Sequence, residues 1–105
     1  MRRTLAVLGA ALAAVTALPA LAQGQDPNLG RNLAAGCANC HGTGGISQGT
    51  TESLAGMKKE DLVRKMQEFK SGAKPSTIMQ QLTKGYTDEQ VDLIAVWFAT
   101  QPPAK

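Results

Sequence analysis

The sequence predicts an all-α domain of about four helices, and three features lead to that fold class. Apolar residues recur at helical spacing, glycine and proline separate the apolar stretches, and no stretch alternates as a strand does. Among 105 residues the aromatic side chains are few: Phe69, Tyr86, Trp97 and Phe98. A domain this small buries little apolar surface, so we expect an additional apolar group to complete its core.

The N-terminus predicts a secretory signal peptide. Two arginines precede an apolar run from Leu5 to Leu18, and Ala20-Leu21-Ala22 has the small-residue pattern of a cleavage site. The apolar run is shorter than the ~20 residues that a membrane-spanning helix needs. We therefore predict a signal peptide at residues 1–22 and one soluble domain at residues 23–105, exported to the periplasm.

The charge of the exported part excludes a general nucleic-acid-binding protein. Residues 23–105 contain nine basic and eight acidic side chains, a net charge of +1. The charges are unevenly distributed, since the segment from Met57 to Lys84 has seven basic and three acidic side chains, a net charge of +4. This basic segment is either an ordinary solvated surface or a contact region for a partner.

Two helices are predicted in the first part of the exported chain. The first begins near Asp26-Pro27, where an acceptor side chain precedes a proline, and runs to about Ala38. The second lies within residues 57–72 and ends at Gly72. Its apolar face consists of Leu62, Met66 and Phe69.

Two further helices are predicted near the C-terminus. A short one covers Ser76 to Leu82. The last starts after Thr87, which can form a capping box with Gln90, and continues to Thr100 or Gln101. Its wide apolar face consists of Val91, Leu93, Ile94, Ala95, Trp97 and Phe98.

The stretch "GCANCHGT" at residues 36–43 contains both cysteines and the only histidine of the chain. C-x-x-C-H is the signature of covalent haem attachment. Thiols three residues apart near a helix end, Cys37 and Cys40, can add to the two vinyl groups of the porphyrin, and His41 then directs its imidazole at the iron. The predicted cofactor is one covalently bound haem c, which would also supply the missing apolar mass.

Other chemistries for these three residues fit the sequence less well. A structural zinc site takes four ligands, and the chain has no other cysteine or histidine. A thiol redox pair of the thioredoxin type is expected beside a βαβ pattern, which this sequence lacks. A plain disulfide is a further alternative, and a haem-free structural or thiol-redox module would give a colourless protein. A haem enzyme with an open sixth coordination position remains an alternative function.

With these motifs the sequence resembles the class I cytochromes c. The similarity covers Gly30 and Leu33 ahead of "CANCH", the "SLAG" after the loop, the segment "PSTIM" and a terminal helix with an aromatic pair. It implies a small fold of helices wrapped round one haem, with the first and last helices crossing near Gly30 and Trp97. It also implies one-electron transfer without independent catalysis.

A methionine is the expected second axial ligand of such an electron-transfer haem. Met66 lies on an apolar helix face, and Met57 is only 16 residues beyond His41. Met79 follows Pro75, lies 38 residues beyond His41, and occupies the segment on which the family has its ligand. We therefore predict His41 and Met79 as the axial pair.

The chain departs from the family in the stretch before "SLAG". Relatives commonly have a proline there, whose carbonyl accepts the proton of the iron-bound histidine. This chain reads "GTTESLAG", so the backbone oxygen of Thr51 or Glu52 has to serve instead.

The C-terminal half also suggests a partner. The run "KSGAKPSTIMQQLTKGYTDEQVDLIAVWFA" resembles the haem subunits of flavocytochrome c sulfide dehydrogenases, in which a flavoprotein oxidises sulfide and passes electrons to the cytochrome. The alternative is a free soluble cytochrome c that carries electrons between respiratory or photosynthetic complexes.

Overall fold

The computed structural model describes Gly9 and residues 26–105, and this part of the chain contains helices and loops but no strand, as predicted. Apart from Gly9, the predicted signal peptide lies outside the described residues. No helix among the described residues is long and apolar enough to cross a membrane. The helices are α1 (Leu29–Ala34), α2 (Ala38–His41), α3 (Lys59–Ser71), α4 (Met79–Thr83) and α5 (Asp88–Ala99), with short 3-10 helices at Ala35–Cys37 and Thr43–Gly45.

The first helical region begins and ends later than predicted. Asp26 Oδ1 accepts a hydrogen bond from the N–H of Asn28 at 2.9 Å, and its carbonyl accepts one from the N–H of Leu29 at 3.0 Å. Asp26 therefore starts a turn, and the helix begins only at Leu29. After α1 the backbone tightens into the 3-10 helix and resumes as α2 to His41, whereas the prediction ended at about Ala38.

Helices α1 and α5 cross where α1 has a glycine, which confirms the crossing expected from the family resemblance. A Cβ atom on Gly30 would lie 2.9 Å from the carbonyl oxygen of Leu93 and 3.6 Å from Cβ of Trp97. The first of these distances is shorter than any relaxed contact. Only glycine lets the two backbones approach this closely.

Helix α3 packs against α5 and follows the predicted pattern. Leu62 and Met66 of its apolar face are buried, and Gly72 ends the helix in the left-handed conformation with φ of 83°. An ion pair of 2.9 Å between Lys59 Nζ and Asp92 Oδ1 joins the two helices at the surface. The hydrogen bond to Asp92 and the charge of that carboxylate raise the pKa of Lys59.

Helix α5 has the predicted capping box. Thr87 Oγ1 accepts from the N–H of Gln90 at 3.1 Å, and Gln90 Oε1 accepts from the N–H of Thr87 at 2.9 Å. The helix ends at Ala99, one residue before the nearer of the two predicted ends. Its buried residues are Val91, Ile94, Ala95 and Phe98, all of which belong to the predicted apolar face.

Helix α4 is shorter than predicted and begins three residues later. Ser76 Oγ accepts a hydrogen bond from the N–H of Gln80 at 3.0 Å, so this serine caps the helix from outside it. The residues between Ser76 and Met79 form a bend. The helix then continues to Thr83, one residue past the predicted end.

The apolar core of the described residues is small. It consists of seven buried side chains: Ala34, Leu62, Met66, Val91, Ile94, Ala95 and Phe98. Ring centroids of Trp97 and Phe98 lie 5.0 Å apart in an edge-to-face arrangement at the C-terminal part of α5. The side of this core that faces α4 borders a cavity rather than more side chains.

The α1–α5 crossing is tested by Gly30→Ala. The added methyl group has to push the two helices apart, so we expect a loss of about 1–3 kcal/mol in the free energy of unfolding, measured by chemical denaturation of the haem-loaded protein. Gly49→Ala is the control, because a Cβ there would meet nothing within 4 Å. Equal stability of the two variants would show that the helices are not in close contact at Gly30.

Candidate haem-binding site

The three residues of the C-x-x-C-H motif line one cavity of about 410 Å³. Cys37 ends the 3-10 helix, and Cys40 and His41 follow on α2, so the two thiols stand about one helical turn apart. Most of the lining is apolar. Outside the motif it includes Leu54, Leu62, Phe69, Ile78, Leu82, Tyr86 and Ile94.

His41 is oriented by a short hydrogen bond to the backbone. Its Nδ1 lies 2.6 Å from the carbonyl oxygen of Glu52. Because a carbonyl oxygen can only accept, Nδ1 carries the proton, and the lone pair of Nε2 is left for a metal ion. Of the two acceptors that the sequence allowed, Thr51 and Glu52, the structure has Glu52.

The loop that carries Glu52 is fastened to the end of α5. The carbonyl oxygen of Gly45 accepts from the N–H of Leu54 at 2.7 Å, and the N–H of Gly56 donates to the carbonyl oxygen of Phe98 at 2.9 Å. Gly45 itself is buried, and a Cβ on it would lie 2.8 Å from the Phe98 ring. The position of the Glu52 carbonyl therefore depends on the packing between this loop and α5.

The two thiols differ in their surroundings. Cys37 is partly buried, and burial raises the pKa of its thiol because a thiolate there would lose hydration. Cys40 is exposed, and neither cysteine forms a disulfide. Among the described residues, no group of three or more His, Cys, Asp or Glu side chains is placed to hold a metal ion, whereas a structural zinc site takes four ligands of this kind.

Met79 lines the same cavity, together with Met57 and Met66. Met66 is only 8% exposed and belongs to the core, as its helical spacing predicted. Met79 is the first residue of α4 and packs against the core while remaining partly exposed. The structure thus brings every predicted site residue to one cavity. Because Met57 and Met66 also line it, location alone does not distinguish Met79 from the other two methionines.

Sequence reasoning missed one charged contact in this cavity. Lys65 of α3 forms an ion pair with the side chain of Glu52, and both residues line the cavity. No sequence motif predicts this pair, because its two residues are 13 positions apart, one on a helix and one in an irregular loop. Only their opposite charges could have suggested it.

Residues 27–101 match the family model described as cytochrome c. The chain belongs to the cytochrome c family. It is 41% identical over 69 residues to the cytochrome subunit of sulfide dehydrogenase from Chlorobaculum tepidum, a match that covers 66% of this chain and 63% of that protein. It is 33% identical over 76 residues to the thiosulfate dehydrogenase electron acceptor from Stutzerimonas stutzeri, covering 70% of this chain and 35% of that protein.

As a member of the family, this cytochrome c is an electron carrier with covalently bound haem c. The cavity fits that group, since it combines an apolar lining with two thiols and one imidazole on neighbouring turns. When bound, haem supplies the one-electron redox change of its iron. The residues that would hold it are in place: Cys37 and Cys40 are positioned to supply the covalent links, and the hydrogen bond from Nδ1 of His41 to the Glu52 carbonyl leaves the lone pair of Nε2 available.

The size of the cavity explains why a group has to fill it. The cavity of about 410 Å³ lies beside a core of only seven buried apolar side chains. Small domains have a total stability of about 5–15 kcal/mol. We therefore expect bound haem to stabilise the fold as well as to supply the redox chemistry.

The double variant Cys37→Ala/Cys40→Ala, which cannot attach haem, tests this dependence. This variant is expressed and purified without haem. We expect its far-ultraviolet circular dichroism spectrum to show some helix, and its near-ultraviolet spectrum to lose the signal of fixed packing around Trp97 and Phe98. Heating should produce no cooperative transition. The haem-loaded wild type is the reference, and a sharp melt of the haem-free variant would contradict the expectation.

Proposed function

We propose that this cytochrome c is a periplasmic one-electron carrier with His41 and Met79 as axial ligands, and that it accepts electrons from a sulfide-oxidising flavoprotein. The observation that carries the proposal is the single cavity that holds the C-x-x-C-H motif, a hydrogen-bonded histidine and Met79 together. The names of the two relatives support the choice of partner.

Among the three methionines, Met79 is the best candidate for the ligand. Met66 belongs to the buried core, so its thioether serves packing. Met57 closes a turn with Leu54, in which its N–H donates to the Leu54 carbonyl at 3.1 Å, directly after the loop that holds His41. Met79 comes from a different element, α4, and is partly exposed towards the cavity. A thioether ligand would raise the reduction potential.

Both relatives are named for roles beside dehydrogenases of sulfur compounds. One is called a subunit of sulfide dehydrogenase and the other an electron acceptor of thiosulfate dehydrogenase. The matched region spans less than two thirds of each protein, so the partner is inferred from shared names and from the haem domain. Both names connect the protein to a dehydrogenase of a sulfur compound, which supports electron transfer rather than catalysis as the role of this chain.

The surface next to Met79 suits a protein partner. Ile78 and Leu82 line the cavity and are 52% and 47% exposed, so they form an apolar rim beside it. Lys74 lies at the same rim, with its Nζ 5.2 Å from the Phe69 ring centroid, and Lys84 is exposed just after α4. Apolar contact surrounded by positive charge favours an acidic or mixed partner surface.

Export supports the periplasmic location in the proposal. The signal-peptide pattern at residues 1–22 indicates secretion, and covalent attachment through C-x-x-C-H is the c-type mode of haem binding. The two haem propionates and the single positive charge of the ferric centre would bring the net charge of +1 at residues 23–105 to about zero, so local charge rather than net charge should guide docking.

The ligand assignment predicts the outcome of Met79→Ala. This variant should keep covalent haem, because both cysteines and His41 remain, but lose the Met–iron charge-transfer band of the oxidised protein and shift the midpoint potential downwards. Absorption spectroscopy and redox titration measure both effects.

Met57→Ala and Met66→Ala are the matched controls, because both residues line the same cavity. They should retain the charge-transfer band. The assignment is wrong if Met57→Ala loses the band and Met79→Ala keeps it. Absence of the band from the wild type would instead favour a haem enzyme with an open coordination position.

The partner is tested by reversing charge beside Met79. The double variant Lys74→Glu/Lys84→Glu should accept electrons from a sulfide-oxidising flavoprotein about three- to tenfold more slowly at low ionic strength. Its rate should also depend less on salt, because the attraction that salt screens is gone. Stopped-flow absorbance of haem reduction at two ionic strengths gives both results.

A second double variant, Arg31→Glu/Lys105→Glu, changes the net charge equally at residues outside the cavity lining. It should reduce the rate much less. Equal rates of haem reduction for all three proteins would show that the positive charge beside Met79 does not guide docking. No electron transfer from the flavoprotein to the wild type would favour the free carrier between respiratory or photosynthetic complexes.

A further inference from the structure

Glu52 makes two contacts with different parts of the site. Its carbonyl oxygen accepts from Nδ1 of His41 at 2.6 Å, and its carboxylate pairs with Nζ of Lys65 on α3. The side chain of Lys65 is 25% exposed, against 42% for Lys59, the other α3 lysine that pairs with an acidic residue outside the helix. The same residue therefore connects the histidine of the motif to the middle of α3.

The hydrogen bonds that connect the backbone near Glu52 to the rest of the fold come mainly from the residues that follow it. Next to it, Ser53 Oγ accepts from the N–H of Ser47 at 2.9 Å, and Leu54 is bonded to Gly45 as described. The residues before Glu52, numbers 48–51, are all exposed. The ion pair between the Glu52 carboxylate and Lys65 joins this part of the loop to α3.

We propose that Lys65 is a positioning residue, which holds the Glu52 peptide through the carboxylate so that its carbonyl stays aligned with Nδ1 of His41. A proline at this position would restrict the backbone by its ring. Here, where the sequence reads Thr51-Glu52-Ser53, an ion pair from α3 provides the restriction. The inference rests on the proposed axial role of His41.

The chemical consequence concerns the strength of His41 as a ligand. A well-aligned hydrogen bond from Nδ1 to a carbonyl makes the imidazole a stronger donor through Nε2. A stronger donor stabilises the oxidised iron relative to the reduced iron. Loss of the ion pair should therefore loosen the Nδ1–H hydrogen bond and raise the midpoint potential.

The test compares two double variants of the haem-loaded protein. Glu52→Gln/Lys65→Met removes the proposed ion pair, and Lys59→Met/Asp92→Asn removes the pair between α3 and α5. Each variant loses one positive and one negative charge, so the net charge stays the same. Differences between them therefore do not arise from a changed total charge.

The readouts are the solvent exchange of the His41 Nδ1 proton, followed by NMR of the reduced protein, and the midpoint potential. For Glu52→Gln/Lys65→Met we expect exchange about two- to fivefold faster, the range that a partly exposed ion pair supports, and a higher potential. Neither should change in Lys59→Met/Asp92→Asn. Lys65→Arg should behave as the wild type, because it retains the charge.

Equal exchange rates and potentials in the two double variants overturn the inference, whether both match the wild type or both are loosened alike. If the double variant at Glu52 does not fold, the comparison of Lys65→Met with Lys65→Arg decides in the same way. A wrong assignment of His41 as an axial ligand is detected separately. In that case the His41 ring protons of the wild type would lack the large NMR chemical-shift changes that bound haem causes.

Discussion

The fold depends on filling one cavity. Seven buried apolar side chains form the core of the described residues, and the cavity beside them measures about 410 Å³. A haem bound there would supply the apolar contacts that these side chains lack on the cavity side. The residues that line it therefore have two tasks, the binding of a large planar apolar group and the packing of the helices around it.

The helices that surround the cavity are held at fixed distances by contacts outside it. Gly30 sets the approach of α1 to α5, and the Gly45 contact with Phe98 fastens the loop that reaches His41. Through these contacts the imidazole has a defined proton position and a defined direction before any metal is considered. A rigid ligand set changes little between oxidation states, which is what a one-electron carrier requires.

The sequence predicted best where local chemistry decides the structure. The C-x-x-C-H motif, the capping box at Thr87 and the stop at Gly72 each depend on residues a few positions apart. Helix starts were less predictable where a side chain bonds to nearby backbone. Asp26 and Ser76 each accept a backbone hydrogen bond just before a helix, and both helices begin later than predicted.

Tertiary contacts were the least predictable part of the site. The sequence left Thr51 and Glu52 open as the partner of His41, because the choice depends on how the loop packs on α5. The pair between Glu52 and Lys65 was not predicted at all, since it joins an irregular loop to a helix. Each charged residue has several oppositely charged residues at comparable distances along this chain, so the sequence alone does not select the pair.

Covalent haem, attached through Cys37 and Cys40, is expected to fill the cavity. Intact-protein mass spectrometry after expression in a host that attaches haem, with and without a thiol-alkylating reagent, tests it most directly. We expect the mass of the processed chain plus one haem, with no alkylation of either cysteine. A colourless protein with the mass of the chain alone and two alkylated thiols would contradict it.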